Sequence, residues 1–151
     1  MLSNNFLATT ADIWDYGKLV YDANAKADAH KRAKRLLRHF ARSVLRLAPN
    51  TYSVRSNLAG IASSGEVTLH TDALRGTADT LAPQGVYVQI SQSHRTVLYR
   101  ACTNQADYVG FTNKWLTMDA CFGCEKAMIR FANELVQLAN DTHQVRYPSL
   151  V

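Results

Sequence analysis

The apolar residues of this chain change their spacing at Pro49, and this change constrains the fold more than any other feature of the sequence. Before Pro49 they recur every three or four residues, which is the period of a helix with one buried side. After Pro49, short runs alternate between apolar and polar residues, which is the period of a strand with one buried face. We therefore expect an α+β domain in which an N-terminal helical segment precedes an antiparallel sheet.

The helical pattern begins after Thr9 and Thr10, either of which can cap a helix, and it ends at Pro49. One uninterrupted helix of this length would measure roughly 58 Å, which is long for a domain of this size. A break near Gly17 or Asn24 would divide it. The sequence therefore leaves two arrangements open, a long basic N-terminal helix or two shorter helices.

Alternating residues after Pro49 predict an antiparallel meander of three to five strands. Two weaker runs cover 51–55 and 66–70, and three stronger runs cover 86–90, 97–101 and 109–115. The residues of the last run that we expect to face the core are Val109, Phe111 and Trp115. The residues that then face outward are Tyr87, Gln89, Arg100, Tyr108, Thr112 and Lys114. Tyrosines mixed with cations could stack the bases of a single strand.

A second helical stretch follows the sheet, with Thr117 or Asp119 as its cap and Pro148 beyond its end. Its apolar stripe consists of Cys121, Cys124, Met128, Phe131, Leu135 and Leu138. We expect this C-terminal helix to pack on one face of the sheet. The 151 residues suit a single domain over 1–151, because the sequence has no linker, repeat or low-complexity tract that would divide it.

The cysteine count and the absence of targeting features predict a cytoplasmic protein. Three cysteines are an odd number, and two of them lie three residues apart, which does not fit a secreted disulfide framework. The first residues lack the pattern of a signal peptide, and no stretch reaches the roughly 18 apolar residues of a membrane span.

Positive charge is concentrated between Asp28 and Glu66, where the sequence has no acidic residue. The eight cations of this segment are Lys31, Arg32, Lys34, Arg35, Arg38, Arg42, Arg46 and Arg55. The remaining nine cations and twelve acids carry a net charge of −3, so this segment alone accounts for the net charge of +5. We therefore expect the N-terminal helix to present a strongly cationic surface.

Five of these cations are spaced three or four residues apart and should lie along one side of the helix. This cationic stripe consists of Lys31, Arg35, Arg38, Arg42 and Arg46. Its like charges repel one another, and a polyanion would remove that cost. Arginine also makes planar, bidentate contacts with phosphates and carboxylates. The other predicted binding residues are Arg32, Lys34, Arg100 and Lys114.

The charge pattern predicts a small non-enzymatic protein that binds a polyanion, and we favour nucleic acid as its partner. The alternative is a protein-binding module, such as an inhibitor or a structural subunit of a larger assembly, that docks on an acidic protein surface. No motif identifies a reaction, and we expect no cofactor.

Cys121 and Cys124 form a short motif that could carry chemistry and supports a third alternative, a zinc or thiol enzyme. At a helix N-terminus, the thiolate of the first cysteine would be stabilised, as in a dithiol redox site. A zinc site would need further ligands, for which the candidates are Cys102 with His143 or His94. Both cysteines fall on the apolar stripe of their helix, so we expect buried core thiols that bind no metal.

Overall fold

The computed structural model describes residues 22–60, 65–74, 84–91, 96–107 and 111–146. The helices of this part of the chain are α1 (Ala23–His39), α2 (Met118–Phe122) and α3 (Glu125–Arg146). The strands are β1 (Tyr52–Asn57), β2 (Glu66–Thr71), β3 (Gly85–Ser91), β4 (Thr96–Cys102) and β5 (Lys114–Thr117). The five strands form one antiparallel meander in chain order, which confirms the predicted α+β layout.

Helix α1 begins where the Asp22 side chain caps it. The backbone of Asp22 is extended, and its carboxylate Oδ1 accepts the Ala25 N–H at 3.0 Å. An extended residue cannot lie inside a helix, so one uninterrupted helix through this point is wrong. The break falls just before Asn24, one of the two predicted places. The other candidate, Gly17, and the predicted caps Thr9 and Thr10 lie outside the described residues.

Helix α1 ends earlier than the apolar pattern predicted. A π-helical turn, Phe40–Val44, follows it, and Arg46 then adopts a left-handed conformation with a φ of 57°. The Leu47 N–H donates to the Ala41 carbonyl at 2.9 Å, which closes the end in the manner of a Schellman motif. Arg46 therefore lies beyond the helix, and its predicted place on the helical stripe is wrong.

The two faces of the sheet have different roles. One face presents a row formed by Val54, Leu69, Val88 and Tyr99, which pair in register across four strands. Helix α1 packs on this face against β1 and β2, and α3 packs on it against β3 and β4. We call the opposite side the outer face.

Four aromatic rings join the helices to the sheet in the core. Phe40 stacks on Phe131 with ring centroids 5.5 Å apart, and Phe122 meets both rings edge to face. Tyr99 on β4 meets the Phe131 ring edge to face at 5.4 Å. Because these rings come from the π-helical turn after α1, from α2, from α3 and from β4, burying them fixes the positions of all four elements together.

The predicted facing of the last strand is wrong by one residue. Trp115 is 59% exposed and Phe111 is 41% exposed, whereas Leu116 packs against the core. The register explains this result, because Val97 of β4 pairs with Leu116 and is fully buried. In a strand, neighbouring side chains point to opposite faces, so an inward Leu116 requires an outward Trp115. Val109 lies outside the described residues.

The C-terminal helical stretch divides in two. Thr117 caps α2, with its Oγ1 accepting the Ala120 N–H at 3.2 Å, which confirms one of the two predicted caps. Helix α2 ends at Phe122, and α3 begins at Glu125. None of the helices in the described ranges is long and apolar enough to cross a membrane.

Candidate functional site

Arg42 lies exposed on the π-helical turn Phe40–Val44, and three other members of the cationic stripe lie exposed on α1: Lys31, Arg35 and Arg38. The residues of the same helix that are fully buried are Ala29, Ala33, Leu36 and Leu37. The helix therefore has a core side and a cationic side, as its spacing indicated. Arg46 is exposed as well, but it is held by the loop that follows the helix rather than by α1.

Arg32 and Arg42 each contact a neighbouring side chain. Arg32 forms an ion pair with Asp28, one turn earlier, at 2.8 Å. Such a surface pair contributes little stability, but it offsets part of the positive charge at the start of the helix. Arg42 donates from Nε to the Tyr52 hydroxyl at 2.7 Å, which connects the stripe to strand β1.

Lys26 is a cation of α1 that sequence reasoning did not single out. It is buried, and its Nζ donates to the Gly60 carbonyl at 3.1 Å, so it fastens the helix to the loop after β1. Lys34, which was among the predicted binding residues, is partly buried. The cationic surface of α1 therefore depends mainly on Lys31 and the arginines that follow it.

Arg100 lies on the outer face as predicted, but it is buried in an aromatic cluster. Its guanidinium carbon lies 3.9 Å from the Tyr87 ring centroid, a cation–π contact. The His70 ring packs on the same tyrosine with centroids 4.6 Å apart. All three side chains are at most 8% exposed. The prediction that Tyr87 and Arg100 present an open binding surface is therefore wrong.

Burial also determines the charge of His70 in this cluster. It lowers the pKa of His70, a hydrogen bond with the Asp107 backbone raises it, and the neighbouring charge of Arg100 lowers it again. With the pKa lowered, the imidazole is neutral at pH 7. The Tyr87 hydroxyl donates to Gln89 Oε1 at 2.7 Å, so the cluster is tied to the next row of the outer face.

Lys114 does not share a face with Arg100. It pairs in register with Tyr99, whose side chain points to the helices, and it stays exposed because β5 is an edge strand. The predicted grouping of these two cations is therefore wrong. Thr112 is exposed as expected, and Tyr108 lies outside the described residues.

Trp115 is a feature that sequence reasoning missed, because it was assigned to the core. It is the most exposed of the large apolar side chains in the described ranges. A signal that could have found it is the spacing of Leu116 and Met118, which alternate with Trp115 and reach the core. An indole with most of its area in water is a common anchor in binding surfaces.

The two cysteines of the short motif differ in their surroundings. Cys121 is fully buried, as predicted, and burial raises the pKa of its thiol to about 12. Cys124 is exposed, so its predicted place in the core is wrong. Its Sγ accepts the Ala127 N–H at 3.4 Å in the first turn of α3. A thiol whose pKa is raised is a poor nucleophile at pH 7, which opposes dithiol chemistry at Cys121.

The residues named for a zinc site do not come together in the described part of the chain. Cys102 is buried at the end of β4, where burial raises the pKa of its thiol to about 12 and its Sγ donates to the Thr71 carbonyl at 3.8 Å. His143 lies near the end of α3, and His94 is outside the described residues. Among the residues that are described, no group of three His, Cys, Asp or Glu could hold a metal ion.

An open cleft of about 420 Å³ lies between α2, α3 and the last two strands. The Tyr99 hydroxyl donates to Glu134 Oε1 at 3.3 Å beside it. Burial and, to a smaller extent, the carboxylate of Glu134 together raise the pKa of Tyr99 to about 12. The phenol therefore keeps its proton and serves as a hydrogen-bond donor rather than as a base.

Comparison of the chain with protein-family models, with curated proteins and with solved structures finds no match.

Proposed function

We propose that this protein is a small non-enzymatic binding module that contacts nucleic acid through the cationic stripe of α1. The observation that carries the proposal is a row of four exposed cations, three on α1 and Arg42 on the π-helical turn after it, whose other side is anchored in the core. The backbone that carries these cations is already ordered, so binding a regular array of phosphates costs little backbone conformational entropy.

The dimensions of the row suit several phosphate contacts. Lys31 and Arg38 lie seven residues apart on α1, which corresponds to about 10 Å along an α-helix axis, and Arg42 extends the row into the π-helical turn. DNA carries one phosphate charge per roughly 3.4 Å of each strand, so the row covers several phosphates. The Arg42 contact with Tyr52 holds one end of the row in place.

An acidic protein surface could make the same contacts, and it is the competing proposal. The exposed side chains of Trp115 and Ile129 are the observation that favours it, since large apolar residues are frequent in protein interfaces. The zinc or thiol enzyme stays as the third proposal, but the raised pKa of Cys121 gives it no support.

The test measures affinity for mixed-sequence duplex DNA as a function of salt. With about four phosphate contacts, log K against log salt should have a slope of about −3 to −4. Arg38→Glu with Arg42→Glu should abolish this binding. The matched control is Lys126→Glu with Arg130→Glu, because these residues are also exposed cations four apart on a helix, α3, and their reversal changes the net charge equally.

The pair of variants separates a local contact from a general effect of charge. If both double variants lose binding equally, the protein attracts DNA through its net charge and the stripe has no special role. If the wild type shows no affinity at about 50 mM salt, the nucleic-acid proposal is wrong. A stoichiometric protein complex that survives nuclease and is broken by the α1 variant alone would establish the acidic-partner proposal instead.

A further inference from the structure

The outer face contains a row of side chains that crosses all five strands. Pairing in register places Arg55 beside Thr68, Thr68 beside Gln89, Gln89 beside Leu98, and Leu98 beside Trp115. We call these five residues the outer row. Four strand spacings of about 4.8 Å separate its ends, so the row is about 19 Å long.

The outer row is open, in contrast to its neighbour on the same face. Arg55 and Trp115 at its ends are exposed, and the three residues between them are partly exposed. In the neighbouring row, by contrast, His70, Tyr87 and Arg100 are buried. On the outer face, a ligand can therefore reach the outer row but not the row of His70, Tyr87 and Arg100 beside it.

The composition of the outer row suits a chain of bases joined by phosphates. Trp115 offers a large aromatic face at one end, and Arg55 offers a positive charge at the other. Between them, Leu98 adds apolar contact area, while Thr68 and Gln89 add hydrogen-bonding groups. Gln89 accepts the Tyr87 hydroxyl, which limits the movement of its amide.

We infer that the outer row binds single-stranded nucleic acid, with a base stacked on Trp115 and the backbone running toward Arg55. The inference rests on the proposed function and names a second, distinct contact surface for the same class of partner. Single strands are required because the faces of bases inside a duplex are covered by their neighbours, whereas unpaired bases can stack on an aromatic ring. The cationic stripe contacts phosphates and therefore accepts either form.

The experiment compares binding of an oligo(dT) single strand and of a duplex by the full chain. Trp115→Ala should weaken oligo(dT) binding about 5- to 150-fold, the range measured for loss of one stacked base, and should leave duplex binding unchanged. Trp115→Phe keeps an aromatic ring and should retain most of the affinity. Ile129→Ala is the matched control, because Ile129 is a similarly exposed apolar residue, 53% accessible, on α3.

Fluorescence gives a readout that a purely structural role would not change. The chain has two tryptophans, so quenching by oligo(dT) that occurs in the wild type and is lost in Trp115→Phe belongs to Trp115. We expect such quenching to saturate with the same concentration dependence as binding.

Each outcome decides for or against the inference. Equal oligo(dT) affinity in the wild type and Trp115→Ala, with duplex binding intact and salt-dependent, overturns the inference and leaves the proposed function standing. Absence of binding to both nucleic acids overturns both. A concentration-dependent dimer that Trp115→Ala dissociates would assign the outer row to a second copy of the chain, and it would also overturn the inference.

Discussion

Replacing Arg46 with Gly tests the geometry at the end of α1 and the role of Arg46 in binding. Arg46 has a φ of 57°. This conformation destabilises the folded state by roughly 1 to 2 kcal/mol when the residue has a Cβ atom, and by almost nothing when the residue is Gly. Gly also gives the unfolded chain more freedom, which costs about 0.4 to 1 kcal/mol. We therefore expect Arg46→Gly to raise the free energy of unfolding by about 0.5 to 1 kcal/mol.

Urea unfolding followed by circular dichroism measures this gain as a higher midpoint with an unchanged slope m. Arg46→Ala removes the same charge but keeps a Cβ atom, so its stability should stay close to that of the wild type. Arg46→Val should be less stable, because a branched side chain is strained in the left-handed region. Ala59 provides the matched control, since its φ is 56° and it lies outside the cationic stripe. Ala59→Gly should gain a similar amount.

The same variants separate conformation from charge in binding. Because Arg46 lies beyond the four cations on which the proposal rests, Arg46→Gly and Arg46→Ala should leave the salt slope on duplex DNA nearly unchanged, as should Ala59→Gly, whereas Arg38→Ala should make it shallower by about one unit. A loss of stability in Arg46→Gly would refute the argument, because it would mean that the arginine side chain stabilises the fold more than the left-handed backbone weakens it.

Two further predictions concern the core. Val97→Ala should lower the free energy of unfolding by about 1 to 3 kcal/mol, whereas Phe111→Ala should change it little, since Val97 is fully buried and Phe111 is 41% exposed. Similar losses in both variants would contradict the exposed position of Phe111. Burial raises the pKa of Cys121 from 9.0 to about 12, so the stability present below pH 9 should be lost as the pH rises toward 12, by about 1.4 kcal/mol per pH unit for this thiol. The free energy of unfolding of Cys121→Ala should therefore fall less steeply than that of the wild type as the pH rises, and an identical pH dependence would contradict this account. In the native wild type, a thiol reagent should label Cys124 before the two buried cysteines.

The helices could be predicted from the sequence because their signals are local. Apolar residues three and four apart identified the buried side of α1, and Thr117 identified the start of α2. The ends of the helices were harder to predict from the sequence, because each cap depends on a single residue. Asp22 caps α1, whereas the apolar pattern placed the candidate caps at Thr9 and Thr10. At the other end, the left-handed Arg46 occupies a position where a sequence usually signals the stop with Gly.

The same contrast explains why the cationic stripe was predictable and the outer row was not. The exposed positions of Lys31, Arg35 and Arg38 follow from the geometry of one helix, so their spacing in the sequence is sufficient evidence. The outer row instead depends on four successive strand pairings, and each pairing is set by residues distant in the chain. A shift of one residue in any pairing sends a side chain to the opposite face, which is how Trp115 was assigned to the core. A binding surface spread across several strands therefore becomes visible only when the register of every strand is known.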